Sequence, residues 1–133
     1  MANPFGLEIV TPDKVFYKGT AEMVVVTTTE GDIGILRNHT PYVAGLAVGK
    51  LRLKLEGKFT EAAIAGGFIQ VDKEKTTILT EAAEWAEDID IDRAKKSKEK
   101  VENELKNTTD KQKIEELELK LKMAVNRINI SQK

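Results

Sequence analysis

The chain has 133 residues, enough for one ordinary core or for a sheet module of about 80–90 residues with a smaller satellite. Its 21 basic and 22 acidic side chains leave a net charge of -1, so no long-range field draws it to nucleic acid or to an anionic bilayer. Cysteine is absent, which removes disulfides, thiolate nucleophiles and thiolate metal ligands together and fits a reducing compartment.

Residues 1–8 lack the basic and apolar regions of a secretory signal. The longest apolar stretch, residues 42–48, falls far short of the roughly 20 residues a membrane-spanning helix needs. A soluble, intracellular protein is expected, one that reaches a membrane only through a partner. From residue 7 to residue 80, short alternating runs are broken by Gly and turn residues. Strands are expected at 7–10, 15–17, 23–28, 33–36, 42–46, 59–64, 68–71 and 76–79. The clearest is 50–56, where Leu51, Leu53 and Leu55 point to one face and Lys50, Arg52, Lys54 and Glu56 to the other. Many short strands with closely spaced turns indicate a flattened sandwich or barrel, and the exposed alternating charges make it antiparallel.

Two features of this half imitate active-site motifs. Gly45-Leu-Ala-Val-Gly49-Lys50-Leu51 resembles a phosphate loop, but it is one residue short between the glycines and has Leu where Ser or Thr must ligate magnesium. It reads as a turn before a strand. His39 is the single histidine, so neither a Ser-His-Asp constellation nor a histidine metal cluster can be assembled, and a loop or interface role is expected for it.

The joint at 84–94 changes the pattern from strand to helix, and residues 91–130 contain no Gly or Pro. A first helix carries a thin seam of Ala94, Val101 and Leu105, with Lys98 completing the spacing. Asn107 and Thr108 break it, and Thr109-Asp110-Lys111-Gln112 reads as a capping box opening a second helix. The seam of that helix, Ile114, Leu117, Leu121, Ala124 and Ile128, suits an antiparallel αα-hairpin, and Leu119, Met123, Val125 and Ile130 are expected to widen its apolar face. Asp88, Asp90 and Asp92, with Glu99 at the twelfth position, imitate a calcium loop. Arg93 stands where the sharp turn requires Gly, so the acids read instead as helix N-terminal residues that complement free amides. Arg93, Lys100, Lys122 and Arg127 either converge on an anion at that helix start or are ordinary solvated charges.

Taken in order, Val10-Thr-Pro, Gly31-Asp-Ile-Gly-Ile-Leu36, His39-Thr-Pro41, Gly66-Gly-Phe68 and Ile78-Leu-Thr-Glu-Ala-Ala83 resemble the epsilon subunits of bacterial rotary ATP synthases over essentially the whole chain. Ile89-Asp-Ile-Asp-Arg93-Ala94 is similar to the motif of the epsilon subunits that bind ATP. The resemblance implies a β + α fold: a flattened antiparallel sandwich of about ten strands over 1–87, then a helical hairpin over 88–133. It implies a noncatalytic central-stalk subunit that joins the gamma subunit to the membrane rotor ring at the cytoplasmic face of the cell membrane. Its mobile hairpin would restrain ATP hydrolysis by extending to the alpha and beta subunits of the catalytic head, and bound ATP would favour its folded form instead. No cofactor is required, and ATP enters as a regulatory ligand. By the same resemblance, Glu84, Ile89, Asp90, Arg93, Ala94, Lys100 and Arg127 form the ATP site, with Lys100 in place of an Arg and Met123 in place of another. Glu30, Gly31, Asp32, His39, Thr40, Pro41 and Tyr42 would meet gamma or the ring. A free-standing ATP sensor and a small hydrolase are the alternative readings.

Overall fold

The structure is a computed structural model that describes residues 4–131. It divides into two compact units, one ending at Trp85 and the other beginning at Ala86. The first holds strands β1 (Phe5–Val10), β2 (Val15–Ala21), β3 (Met23–Thr28), β4 (Gly31–Ile35), β5 (Tyr42–Leu55), β6 (Lys58–Val71), β7 (Lys75–Leu79) and β8 (Ala83–Trp85). The second holds a 3-10 turn (Ala86–Asp88) and helices α1 (Ile91–Lys106) and α2 (Lys111–Ser131).

The strand order is β2-β1-β7-β6-β5-β3-β4, with β8 paired to β6 off this path. β5 and β6 are 14 residues each and serve both layers of the sandwich. Their ladder pairs Leu46 with Gly67 and Val48 with Ala65, and omits Ala47 and Gly66 between them. Across that gap the buried phase changes, from Leu46 to Leu51 and Leu53 on β5, and from Ala62 and Ile64 to Ile69 and Val71 on β6. A period of two cannot change phase in a regular strand, so both strands bend here, and the positive φ values of Gly66 (78°) and Gly67 (110°) permit it. Among the described residues, the expected ten or so short strands are therefore eight, two of them long. The phosphate-loop imitation, residues 45–51, lies inside β5 and is not a turn before a strand. Gly49 serves packing there, since a Cβ on it would stand 2.8 Å from the Thr27 Cβ.

Leu7, Ile9, Ile69 and Ile78 from one layer meet Val24, Val26, Leu51 and Ile64 from the other in a single core. Burial of each contributes about 1.5–3 kcal/mol against leaving it in water. The sheet is antiparallel except that β1 and β7 pair in parallel, which a purely antiparallel reading missed. These strands are joined through most of the sheet rather than by a hairpin, so their directions are free to agree.

In the helical unit, Asp90 caps α1: its carboxylate accepts from the Arg93 amide at 3.1 Å. At the other end the Asn107 amide donates to the Glu104 carbonyl at 3.2 Å and the Thr108 hydroxyl to the same oxygen at 2.7 Å. The cap of α2 is not Thr109. Asp110, one position later, takes the Gln112 amide at 3.0 Å, and the capping-box reading gives way to the better acceptor nearer the helix. α1 and α2 pack along each other, burying Ala94 and Val101 of the first and Leu117, Ala124 and Ile130 of the second. Leu119 does not widen this face; it is exposed.

Candidate functional site

Two sets of residues are the ones expected to carry the function. In the sandwich, Glu30 occupies the β3–β4 turn, Gly31 and Asp32 open β4, and His39, Thr40 and Pro41 form the loop that leads into Tyr42 at the start of β5. This region is held by side-chain hydrogen bonds, two of them to main-chain groups. The Thr28 hydroxyl donates to the Gly31 carbonyl at 2.6 Å and accepts from the Glu30 amide at 3.1 Å, and Thr27 donates to the Asp32 carboxylate at 2.9 Å. His39 sits with its Nδ1 2.7 Å from the Thr40 carbonyl oxygen and its ring edge-on to Tyr42 at 6.0 Å. Tyr42 pairs with Val71, so the β6–β7 turn at 72–74 lies at the same end of the sheet as the 39–42 loop.

The second set is divided. Glu84 is on β8 in the sandwich unit, and Ile89, Asp90, Arg93, Ala94, Lys100 and Arg127 belong to the helical unit. Asp90 is occupied as the α1 cap, and Ala94 is buried in the hairpin seam, so these two shape the helix start. Arg93 lies in the first turn of α1 and Arg127 in the closing part of α2, both at the hairpin end remote from the 107–110 turn. Lys100 lies about two turns further along the same face of α1 as Arg93. It stands about 10 Å along α1 from Arg93 at the usual ~1.5 Å rise, and lines an open groove with Lys96, Asn103 and Lys113 near the turn. Among the described residues, no group of three or more His, Cys, Asp or Glu side chains is placed to hold a metal ion, the calcium-loop imitation included. No helix of the described residues is long and apolar enough to cross a membrane.

Sequence reasoning missed an exposed apolar row on the sandwich. On the face opposite the core, Phe68 pairs with Leu79, Leu79 with Val10, and Val10 with Val15, an apolar row running across β6, β7, β1 and β2. Val43 on β5 extends it, two residues from the Phe68 partner Gly45. Val43 is 68% exposed, Phe68 60%, Val15 53% and Leu79 51%. A cleft of about 300 Å³ opens beside this row, lined by Val10, Phe68 and Leu79 of the row together with Thr11, Thr80 and Glu81. The signal was present in the alternation: Phe68 and Gln70 share one phase, while Ile69 and Val71 share the other. Phe68 is thus a large apolar residue where a half-solvated strand ordinarily places a polar one.

Two family models match the chain in succession: the ATP synthase delta/epsilon chain beta-sandwich domain over residues 4–86, and the delta/epsilon chain long alpha-helix domain over residues 87–132. An ATP synthase epsilon chain of Alkaliphilus oremlandii is 51% identical over 79% of this chain and 78% of its own. That of Caldanaerobacter subterraneus subsp. tengcongensis is 44% identical over 100% and 97%. A chain in the cryo-EM structure of the Euglena gracilis mitochondrial ATP synthase, described as OSCP/F1/c-ring in rotational state 1, superposes with a TM-score of 0.79 at 25% identity, covering 92% of this chain and 78% of that one. Matched along both units and to relatives over nearly its full length, the chain belongs to the ATP synthase delta/epsilon chain family, among its bacterial epsilon chains.

Proposed function

We propose that the chain is the noncatalytic central-stalk subunit that fastens gamma to the membrane rotor ring at the cytoplasmic face of the cell membrane, and that its helical unit restrains ATP hydrolysis. The observation that carries attachment is the apolar row from Val43 through Phe68, Leu79 and Val10 to Val15. Monomers rarely leave so continuous an apolar strip in water, and a strip of this kind marks a surface that is covered in the working assembly. The similarity to a chain in an F1/c-ring assembly supports a rotary partner for it. Gamma takes the flat apolar face, and the loops holding Glu30, Gly31, Asp32, His39, Thr40, Pro41 and Tyr42 take the ring.

The test is copurification of reconstituted chain with gamma. Phe68→Glu and Leu79→Glu should lose gamma while keeping the circular dichroism of the parent, because both side chains already face water in the isolated fold. Leu119→Glu, exposed on α2, serves as the control and should retain gamma. Retention by all three variants would refute attachment through this face.

ATP is the regulatory ligand in this reading. Arg93 and Arg127 supply positive charge near the first amides of α1, where anions are favoured, and Ile89, Asp90 and Ala94 complete the helical unit's residue set. Lys100, facing the groove near the turn, contributes least. Calorimetry on the full chain should show weak ATP binding that Arg93→Ala abolishes, since a charge-assisted bond is worth about 1.5–3 kcal/mol, and that Lys100→Ala, about two turns further along α1, lowers by less. An absence of heat with the parent chain would remove ATP from the scheme.

A further inference from the structure

β8 is short for the position it holds. Its three residues pair with Ala62, Ala63 and Ile64 of β6, and the next residue already belongs to the helical unit. A strand of this length, continuing into a separate unit, is expected to fray. Trp85, the single tryptophan of the chain, opposes that. Its ring stacks on Phe16 with centroids 4.4 Å apart and planes at 28°, and meets Tyr17 edge-on at 6.2 Å and 81°.

Phe16 and Tyr17 are neighbours on β2, and neighbouring strand residues ordinarily point to opposite faces. A β-bulge lets both reach one ring. Ile9 pairs with Tyr17 and Val10 with Val15, which leaves Phe16 as the extra residue, and bulges re-aim side chains in this way. Tyr17 is held in turn by its hydroxyl, which donates to the Thr20 carbonyl at 2.7 Å. Gly19 leaves space for that ring, since a Cβ there would lie 3.2 Å from the hydroxyl oxygen. The bulge on edge strand β2 thus grips the short strand β8.

We propose that Trp85 is a positioning residue: its clamp on Phe16 and Tyr17 fixes the point from which the helical unit moves, and keeps β8, with Glu84, part of the sandwich when the helices depart. The inference rests on the reading that the helical unit is mobile. Without the clamp, opening runs back through β8 and carries Glu84 away with the helices. Aromatic pairs of this geometry bias such an opening by about two- to tenfold, and the area the tryptophan buries adds to that.

Hydrogen exchange on the full chain, followed by mass spectrometry, tests it with Trp85→Ala, Phe16→Ala and Trp85→Phe. In the parent, amides 83–85 should exchange as slowly as their β6 partners at 62–64. In Trp85→Ala and Phe16→Ala they should exchange about tenfold faster or more, in step with the helical unit, while β1 and β7 keep their protection. Trp85→Phe, which preserves a ring for stacking, should restore most of the protection. Parent rates at 83–85 in both alanine variants would overturn the proposal. So would uniform acceleration across β1 and β7, which would make Trp85 ordinary core packing. The measurement uses no catalytic partner, so a failure of the inhibitory reading in the assembled complex would leave its outcome unaffected.

Discussion

Gly67 has less freedom to change than any catalytic-looking residue of the chain. At φ 110° it occupies backbone space that side chains rarely enter, and a Cβ on it would overlap the Leu79 carbonyl oxygen. Gly31 and Gly57 also have positive φ, but nothing lies within 4 Å of a Cβ built on either. Gly67→Ala should therefore destabilise the sandwich by on the order of 3 kcal/mol, the upper end for backbone strain, because β7 must also shift. A denaturant midpoint equal to that of the parent would show that the bend relaxes freely. A smaller, pH-dependent effect belongs to Glu8 and Lys75, which join the parallel pair β1 and β7 through a 2.9 Å ion pair. The hydrogen bond from Lys75, then its charge, holds the Glu8 carboxyl below its ordinary value. The folded value lies below the unfolded one, so the contribution is fully present above the unfolded Glu value of about 4.3 and is lost as pH falls through the folded value. Lys75→Met should be slightly less stable than the parent at neutral pH, with the gap closing in acid. A gap that stays constant through the acid titration would assign the loss to packing of the lysine stem.

At the scale of elements, the sequence was readable wherever one period ran uninterrupted. Leu51 and Leu53 alternate with Arg52 and Lys54, and the structure places the first pair in the core and the second pair outward. Val101, Leu117 and Ala124 keep the helical spacing and are the buried seam of the hairpin. What could not be read was continuity. Gly66-Gly67 has the composition of a turn, and only the pairing of Leu46 with Gly67 and of Val48 with Ala65 shows that the strands run through it. The same holds for the caps. Thr109 and Asp110 both offer an acceptor, and local sequence does not say which stands at the last non-helical position. Of the candidate site residues, Asp90 at the start of α1 was legible from its chemistry. That Lys100 lines a groove near the turn depends on how α1 and α2 pack along each other, which local sequence does not say. The apolar row needed the register of four strands at once, because Phe68 and Leu79 are far in the chain from Val10 and Val15 and meet them only through pairing.

The whole molecule assigns different physical work to its two units. The sandwich has a closed core drawn from both layers, whereas the helical unit buries only a narrow seam. Such a seam stabilises the hairpin by less than a full core would, so alternative dockings of the helices need differ by only a few kcal/mol for a ligand or partner to choose between them. A sandwich with its own core should survive loss of the helices. Truncation after Asp88 is therefore expected to leave β1 to β8 folded, still bound to gamma and still supporting coupled synthesis in reconstituted complex. ATP hydrolysis by that complex should rise above the rate of the complex with the full chain, and the difference should be greatest without a membrane gradient, when restraint matters most. Both rates must be followed across nucleotide concentrations, since ATP bound to the helical unit would itself weaken the restraint. Equal hydrolysis with and without residues 89–133 at every concentration would make the hairpin a structural attachment, and an unfolded truncation product would show that the sandwich depends on the helices for its stability.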